Sequence, residues 1–240
     1  MTAPVRTVLA DTARVGPFFA VATDPAESAD PTWRPLRELV TEPGALRDRI
    51  AHVRRVLSEQ AGRTVEERVA ASIALQGLAA RLVSAPLAAV ALHGVLPDLG
   101  RDALHWRVSR TGPWPLWVDA DRPARDRAEL PALVAEEIAE PLVEAVRALV
   151  PVSARVLRGN VASAVAGAKR VLGTERPEAA VRAAELAAAV LDHPLLAGTG
   201  EQRPPTPPDR GWSFRRRSCC LYYRLPGGGT CGDCVLSRSA

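Results

Sequence analysis

The sequence predicts a mainly α-helical fold: a bundle-like helical domain with one small β-hairpin, ending in an irregular cysteine-rich loop. α+β is the alternative arrangement. Three observations predict it. Long Ala- and Leu-rich stretches repeat their apolar residues at spacings near 3.6. One short segment rich in Trp and β-branched residues breaks that period. All four cysteines fall within the last 22 of the 240 residues, behind a proline-rich stretch.

The first ~33 residues mix Pro, Gly, Asp and Ala around Phe18 and Phe19 and read as an irregular lead-in. Helical patterning begins at Glu42. Thr64-Val-Glu-Glu67 reads as a capping box, in which the Thr hydroxyl and the Glu carboxylate each satisfy an orphan backbone donor. Behind it Val65, Val69, Ile73, Leu78 and Leu82 form the inward face, with Arg63, Arg68 and Arg81 as solvated charges. Ser84-Ala-Pro86 restarts a short apolar helix that ends near Gly94. Residues 104–118 read as a β-hairpin with a Thr-Gly-Pro turn near Gly112, and Pro115 makes its second strand an edge or a strand start. Its Trp106, Trp114 and Trp117 read as caps on the helical core, with a part in a substrate-facing wall as the functional alternative.

From Glu129 a helix runs through Leu133, Val134, Ile138, Leu142, Val146 and Leu149, bent at Pro141. Another covers 152–172, where Gly159, Ala162, Ala166 and Gly167 allow close helix approach. A third starts at a Thr174 cap and ends near Asp192-His-Pro194. The resulting organisation is a helical domain over 1–197, a linker over 198–211 and a cysteine-bearing segment over 212–240. The linker contains Arg203-Pro-Pro-Thr-Pro-Pro208, a stiff extended run.

Composition narrows the function classes. At 47% hydrophobic and 24% charged residues, the chain is neither disordered nor fibrous. No uninterrupted apolar run approaches the ~20 residues of a membrane span, and no signal-type apolar segment opens the chain, so a cytoplasmic protein is expected. The net charge is only +4, and Arg215–Arg217 is the sole basic run. Three arginines do not track a phosphate backbone, so no nucleic-acid partner is expected. No nicotinamide or flavin fingerprint appears, since the Gly-rich runs follow no strand and open no helix. Glu136, Glu137, His52, His93, His105 and His193 are scattered and read as structural.

The cysteines carry the chemistry. Cys219-Cys220 is followed, ten residues on, by Cys231-Gly-Asp-Cys234. A Cys-x2-Cys pair on a turn aims both sulfurs at one point, and Gly227-Gly-Gly229 and Gly232 let the backbone close around it. Adjacent cysteines on an extended segment point apart, which suits two irons of one centre better than a single ion. On spacing alone, structural zinc and iron–sulfur stand level; disulfides are disfavoured in a cytoplasmic chain.

The tail Arg216-Arg-Ser-Cys-Cys-Leu-Tyr-Tyr-Arg, followed by Cys231-Gly-Asp-Cys234, resembles the C-terminal signature of the FhuF-type ferric siderophore reductases. Arg158-Gly-Asn-Val-Ala-Ser resembles a stretch in that family's helical part. The resemblance implies a [2Fe–2S] cluster ligated by Cys219, Cys220, Cys231 and Cys234. It implies an oxidoreductase that passes one electron to a ferric siderophore in the cytoplasm, fed by a separate ferredoxin- or flavin-type donor. No membrane span is implied; peripheral contact at the inner membrane face, where imported chelates arrive, belongs to the same expectation. Beside the cysteines, Arg215, Arg216, Arg217, Arg224 and Tyr222 are the candidate contacts for an anionic chelate or an acidic donor. Two rival readings accompany this one: a non-catalytic metal protein, with structural zinc or a redox-sensing cluster, and a siderophore-binding scaffold.

Overall fold

The computed structural model describes residues 3–109 and 112–236. Helices dominate it, as the periodicity predicts. At the centre stands α4 (Glu67–His93), whose Ala-rich surface is buried on nearly every side. Around it pack α1 (Val5–Thr12), α3 (Pro43–Ala61), α7 (Ala154–Glu175) and α8 (Ala180–Leu191), with α7 making the most extensive contact. By length and composition α4 meets the requirements of a membrane span, yet most of that window is buried inside the protein. Its apolarity is that of a core helix.

Several local expectations are corrected. The lead-in contains α1, which buries Val8 and Leu9 and is tied down where Asp11 meets His93 and Arg176, both at 3.0 Å. The Thr64 capping box does not form; α4 starts at Glu67 with Glu66 as its N-cap. The segment is anchored sideways instead, because the Val65 amide donates to Ser58 Oγ and Arg54 Nε donates to the Val65 carbonyl. No restart occurs at Ser84: α4 runs unbroken through Pro86 to Gly94, which closes it in the left-handed region at φ 66°. A proline inside a helix costs about 3 kcal/mol, and burial of the surrounding Val83, Ala85, Leu87 and Ala88 outweighs it. Thr174 lies inside α7, its hydroxyl donating to the Arg170 carbonyl, and α8 follows a short turn at Pro177–Ala179.

The bend expected at Pro141 takes a specific form. A wide π-type stretch, Leu133–Ala139, joins α5 (Leu130–Ala132) to α6 (Glu140–Leu149) just before the proline. Widening the turn is how the backbone accommodates a ring that has no donor to offer.

The hairpin is present as β2 (His105–Trp106) and β3 (Leu116–Trp117), paired antiparallel, and β1 (Arg34–Pro35) adds a third strand on the other side of β2. Arg110 and Thr111, in the expected turn, lie outside the described residues. Trp106 and Trp114 stack at 4.6 Å in the core, and Trp117 is also buried. Arg81, expected in solvent, is 4% exposed. Its guanidinium donates to the carbonyls of Trp114, Phe18 and Ala20, which binds the lead-in and the hairpin to α4. Desolvation pulls its pKa down to about 10, so it stays charged at neutral pH.

Residues 198–211 contribute β4 (Gly200–Arg203), which pairs antiparallel with β5 (Ser213–Arg216). The sole lysine, Lys169 on α7, is buried against this segment. It pairs with Asp209 at 2.8 Å, donates to the Trp212 carbonyl and sits 4.1 Å from the Trp212 ring centroid. Burial works to raise the Asp209 carboxyl, but hydrogen bonds from Arg170 and Lys169 outweigh it and hold the group below the usual carboxylate range. A depressed carboxyl stabilises the fold above its unfolded pKa, and that contribution is lost as pH falls through the folded value. Asp209→Asn therefore destabilises the protein by about 3 kcal/mol at pH 7, because it leaves Lys169 buried and unpaired. The gap between variant and wild type narrows below about pH 4. Thermal unfolding across a pH series reads both effects; a gap that does not change with pH rules out this electrostatic account.

Candidate metal centre

The tail begins at β5, which carries the chain along α7. The Arg216 amide donates to the Asp233 carbonyl at 3.0 Å, so the strand end already touches the second cysteine loop. Cys219 and Cys220 follow. Leu221 then takes a left-handed conformation, φ 68°, the sole non-glycine among the described residues to do so. That reversal brings its own amide 3.3 Å from Cys219 Sγ. Leu221 and Leu225 pack with Val65, Val69, Leu57 and Ile73, which seats the loop on α3 and the start of α4. Gly228 closes the turn: a Cβ there would lie 2.8 Å from the Tyr222 carbonyl oxygen. The second loop repeats the first, with the Cys234 amide donating to the Cys231 carbonyl and the Leu236 amide 3.3 Å from Cys234 Sγ.

The two halves meet. Cys220 Sγ and Cys231 Sγ lie 3.5 Å apart. Cys220 and Cys234 are buried, while Cys219 and Cys231 keep partial exposure. The hydrogen bond shared by Cys220 and Cys231 draws Cys220 down to about 6 and pushes Cys231 above the ordinary thiol range; burial raises Cys219. No three His, Cys, Asp or Glu side chains among the described residues converge on one point as a single ion would require.

Beneath the cysteines lies a buried polar chain that sequence reasoning did not assign. Ser72 Oγ on α4 donates to the Cys220 carbonyl at 2.7 Å. Asn160 on α7 donates to the Ser72 carbonyl and hydroxyl at 2.7 and 2.8 Å, and its Oδ1 accepts from Arg216 Nη2 at 2.6 Å. Arg216 Nε donates to the Ser218 carbonyl at 3.0 Å, and Ser218 Oγ to the Arg155 carbonyl. Gly159 makes room: a Cβ there would stand 2.4 Å from Ser218 Oγ and 3.0 Å from Arg216 Nη2. The Gly-Asn of the stretch beginning at Arg158 was the available signal. On the flank, Arg170 pairs with Asp209 and Asp233, both at 3.0 Å, and so braces the second loop against α7.

The other sequence-derived candidates divide. Arg217, Tyr222 and Arg224 lie at the surface, with Arg224 paired to Glu66 at 2.9 Å. Arg215 is half-buried and donates to the Val235 carbonyl. Arg216 is 1% exposed and does not reach solvent. The histidines are engaged elsewhere: His93 with Asp11, His193 with Glu136, His105 with the Ala103 carbonyl and His52 with Arg55.

Residues 216–236 match the family model described as the FhuF 2Fe-2S C-terminal domain. No curated protein matches the chain. The matched segment runs from the buried arginine past Cys234 and holds all four cysteines, and the group this domain type carries is a [2Fe–2S] cluster. The residues present fit such a group. Four cysteines lie on two loops that meet where Cys220 Sγ and Cys231 Sγ stand 3.5 Å apart, and Arg216, whose Nε donates to the Ser218 carbonyl just before Cys219, keeps Nη1 buried without a hydrogen-bond partner.

If Gly159 provides the clearance on which the tail sits, Gly159→Ala displaces the tail and costs roughly 1–3 kcal/mol. The expected result is faster tryptic cleavage at Arg217 with unchanged helical circular dichroism. Cleavage at the wild-type rate would mean that the contact yields without moving the tail.

Proposed function

With a FhuF-type [2Fe–2S] domain forming its tail, we propose that this chain is a ferric siderophore reductase in which Cys219, Cys220, Cys231 and Cys234 hold the cluster. The observation that carries the reading is the approach of Cys220 to Cys231 across ten intervening residues, inside the matched segment. Cys219 and Cys234 flank that pair, each with a backbone amide directed at its sulfur. Amides so placed favour thiolates, the form that binds iron.

A siderophore grips Fe(III) through hard oxygen donors, and Fe(II), with its lower charge, is held far more weakly. The cluster, when bound, supplies the one-electron couple: a separate ferredoxin- or flavin-type protein provides the electron and the chelated Fe(III) takes it. Nothing else has to be made or broken, so the chain needs no general base and no nucleophile. Partial exposure of Cys219 and Cys231 leaves the centre near the surface. Arg217, with Arg215 behind it, sets positive charge around it and draws in an anionic chelate or an acidic donor face, while Glu66 offsets the charge of Arg224. Tyr222, 37% exposed, offers an aromatic surface beside them. The reaction belongs in the cytoplasm, where imported chelates arrive at the inner membrane face.

The test is anaerobic absorption and EPR spectroscopy before and after dithionite, with iron and sulfide counted and Fe(II) release from a ferric siderophore followed by a ferrous chelator. The expected outcome is two irons per chain, visible bands that bleach, a rhombic S = 1/2 signal and Fe(II) release. Cys231→Ser and Cys234→Ser keep helical circular dichroism and lose both the cluster and the release. One zinc per colourless chain overturns the reading. A cluster that cycles without acting on ferric chelates replaces it with a redox-sensing role.

A further inference from the structure

Arg216 is the largest charged side chain in the fully buried interior, and no carboxylate among the described residues pairs with it. Asp233, whose carbonyl accepts from the Arg216 amide, gives its carboxylate to Arg170, and Asp209 gives its own to Lys169 and Arg170. Taking a guanidinium out of water is costly unless an anion and a full set of acceptors receive it. Its acceptors are only partly supplied. Nε reaches the Ser218 carbonyl, Nη2 reaches Asn160 Oδ1 and the Val156 carbonyl, and Nη1 is buried with none. Both cysteine loops are tied to this residue: Nε donates to the Ser218 carbonyl just before Cys219, and the main-chain amide donates to the Asp233 carbonyl just before Cys234.

We propose that Arg216 is the internal counter-ion of the [2Fe–2S] centre, and that its fixed charge raises the centre's reduction potential. The proposal rests on ligation by the four cysteines. Four thiolates and two sulfides give the oxidised centre a net negative charge, and one added electron deepens it. A cation held beside it therefore stabilises the reduced form more than the oxidised form. Because the guanidinium itself is buried, water screens that difference little. The arrangement is rigid: Asn160 and Ser72 fix the guanidinium from below, and Gly159 lets it approach α7. The surface arginines differ in kind, since solvent and salt screen Arg217 and Arg224. Arg216 acts through the cluster and touches no substrate, so it is a positioning and tuning residue.

The test is the midpoint potential, from EPR-monitored redox titration, of wild type, Arg216→Gln, Arg216→Lys and Arg217→Gln, with iron counted per chain. The expected result is an Arg216→Gln protein that holds two irons but is harder to reduce. Its reduced-to-oxidised ratio at a given potential falls at least tenfold, about 59 mV for one electron. Arg216→Lys recovers most of the shift because it keeps the charge. Arg217→Gln moves the potential less, and that small movement vanishes in high salt. Should Arg216→Gln fail to retain the cluster while Arg216→Lys retains it, the charge requirement stands. An iron-loaded Arg216→Gln with the wild-type potential overturns the proposal, as does equal loss of cluster from both variants. A wild-type protein without a [2Fe–2S] signal overturns the cluster reading itself, and this inference with it.

Discussion

A buried guanidinium without a carboxylate must be gripped by neutral acceptors from several directions, and the placement of the tail follows from how Arg216 meets that demand. Asn160 supplies one acceptor and turns its amide to Ser72, and Ser72 in turn donates to the Cys220 carbonyl. The chain of contacts thus runs from the cysteine turn through Arg216 into the two helices that share the most extensive interface, α4 and α7. A polar network sealed in a core is stable only when its members are satisfied. Arg216 Nη1 is the member of this network left without a partner. The helical domain is therefore more than a carrier for the cysteine loops, since it sets the electrostatic ground on which they stand.

The same device recurs. Arg81 collects three carbonyls from the lead-in and the hairpin, and Lys169 holds the proline-rich stretch through Asp209 and the Trp212 carbonyl. In these two cases the cation projects from a core helix to an irregular segment with unmet carbonyls, whereas Arg216 projects from β5 toward the helices. Backbone groups that lack helix or sheet partners have to be satisfied somehow. A long cationic side chain reaches several of them at once, which suits a fold whose strands are two to four residues long.

Much of the helical scaffold was legible because the period of 3.6 survives in α3, α7 and α8, and Pro115 correctly placed the start of β3. Where the reading failed, local signals competed with burial. Pro86 carries a strong breaking preference that a helix packed on nearly every side overrides, and the bonds of Val65 to Ser58 and Arg54 take the place of the Thr64 cap. α1 is short and anchored by Asp11 to residues far along the chain, and no local window contains that information. Arg81 was misread for a related reason: arginine is usually solvated, and only distant carbonyls at Phe18, Ala20 and Trp114 make its burial tolerable.

At the site the division is sharper. Cys219, Cys220, Cys231 and Cys234 announce themselves by type and spacing, because soft-metal chemistry admits few residue types and a tight loop few spacings. That much, with the helical class, the sequence determined by itself. Which of three consecutive arginines turns inward was not determined there, since Arg215, Arg216 and Arg217 are chemically alike. The tertiary structure decided it: strand alternation in β5 aims Arg216 at α7, and the gap at Gly159 and the amide of Asn160 receive it. Such partners lie 56 residues or more apart in sequence, and only the packing of α7 beside α4 brings them within hydrogen-bonding distance.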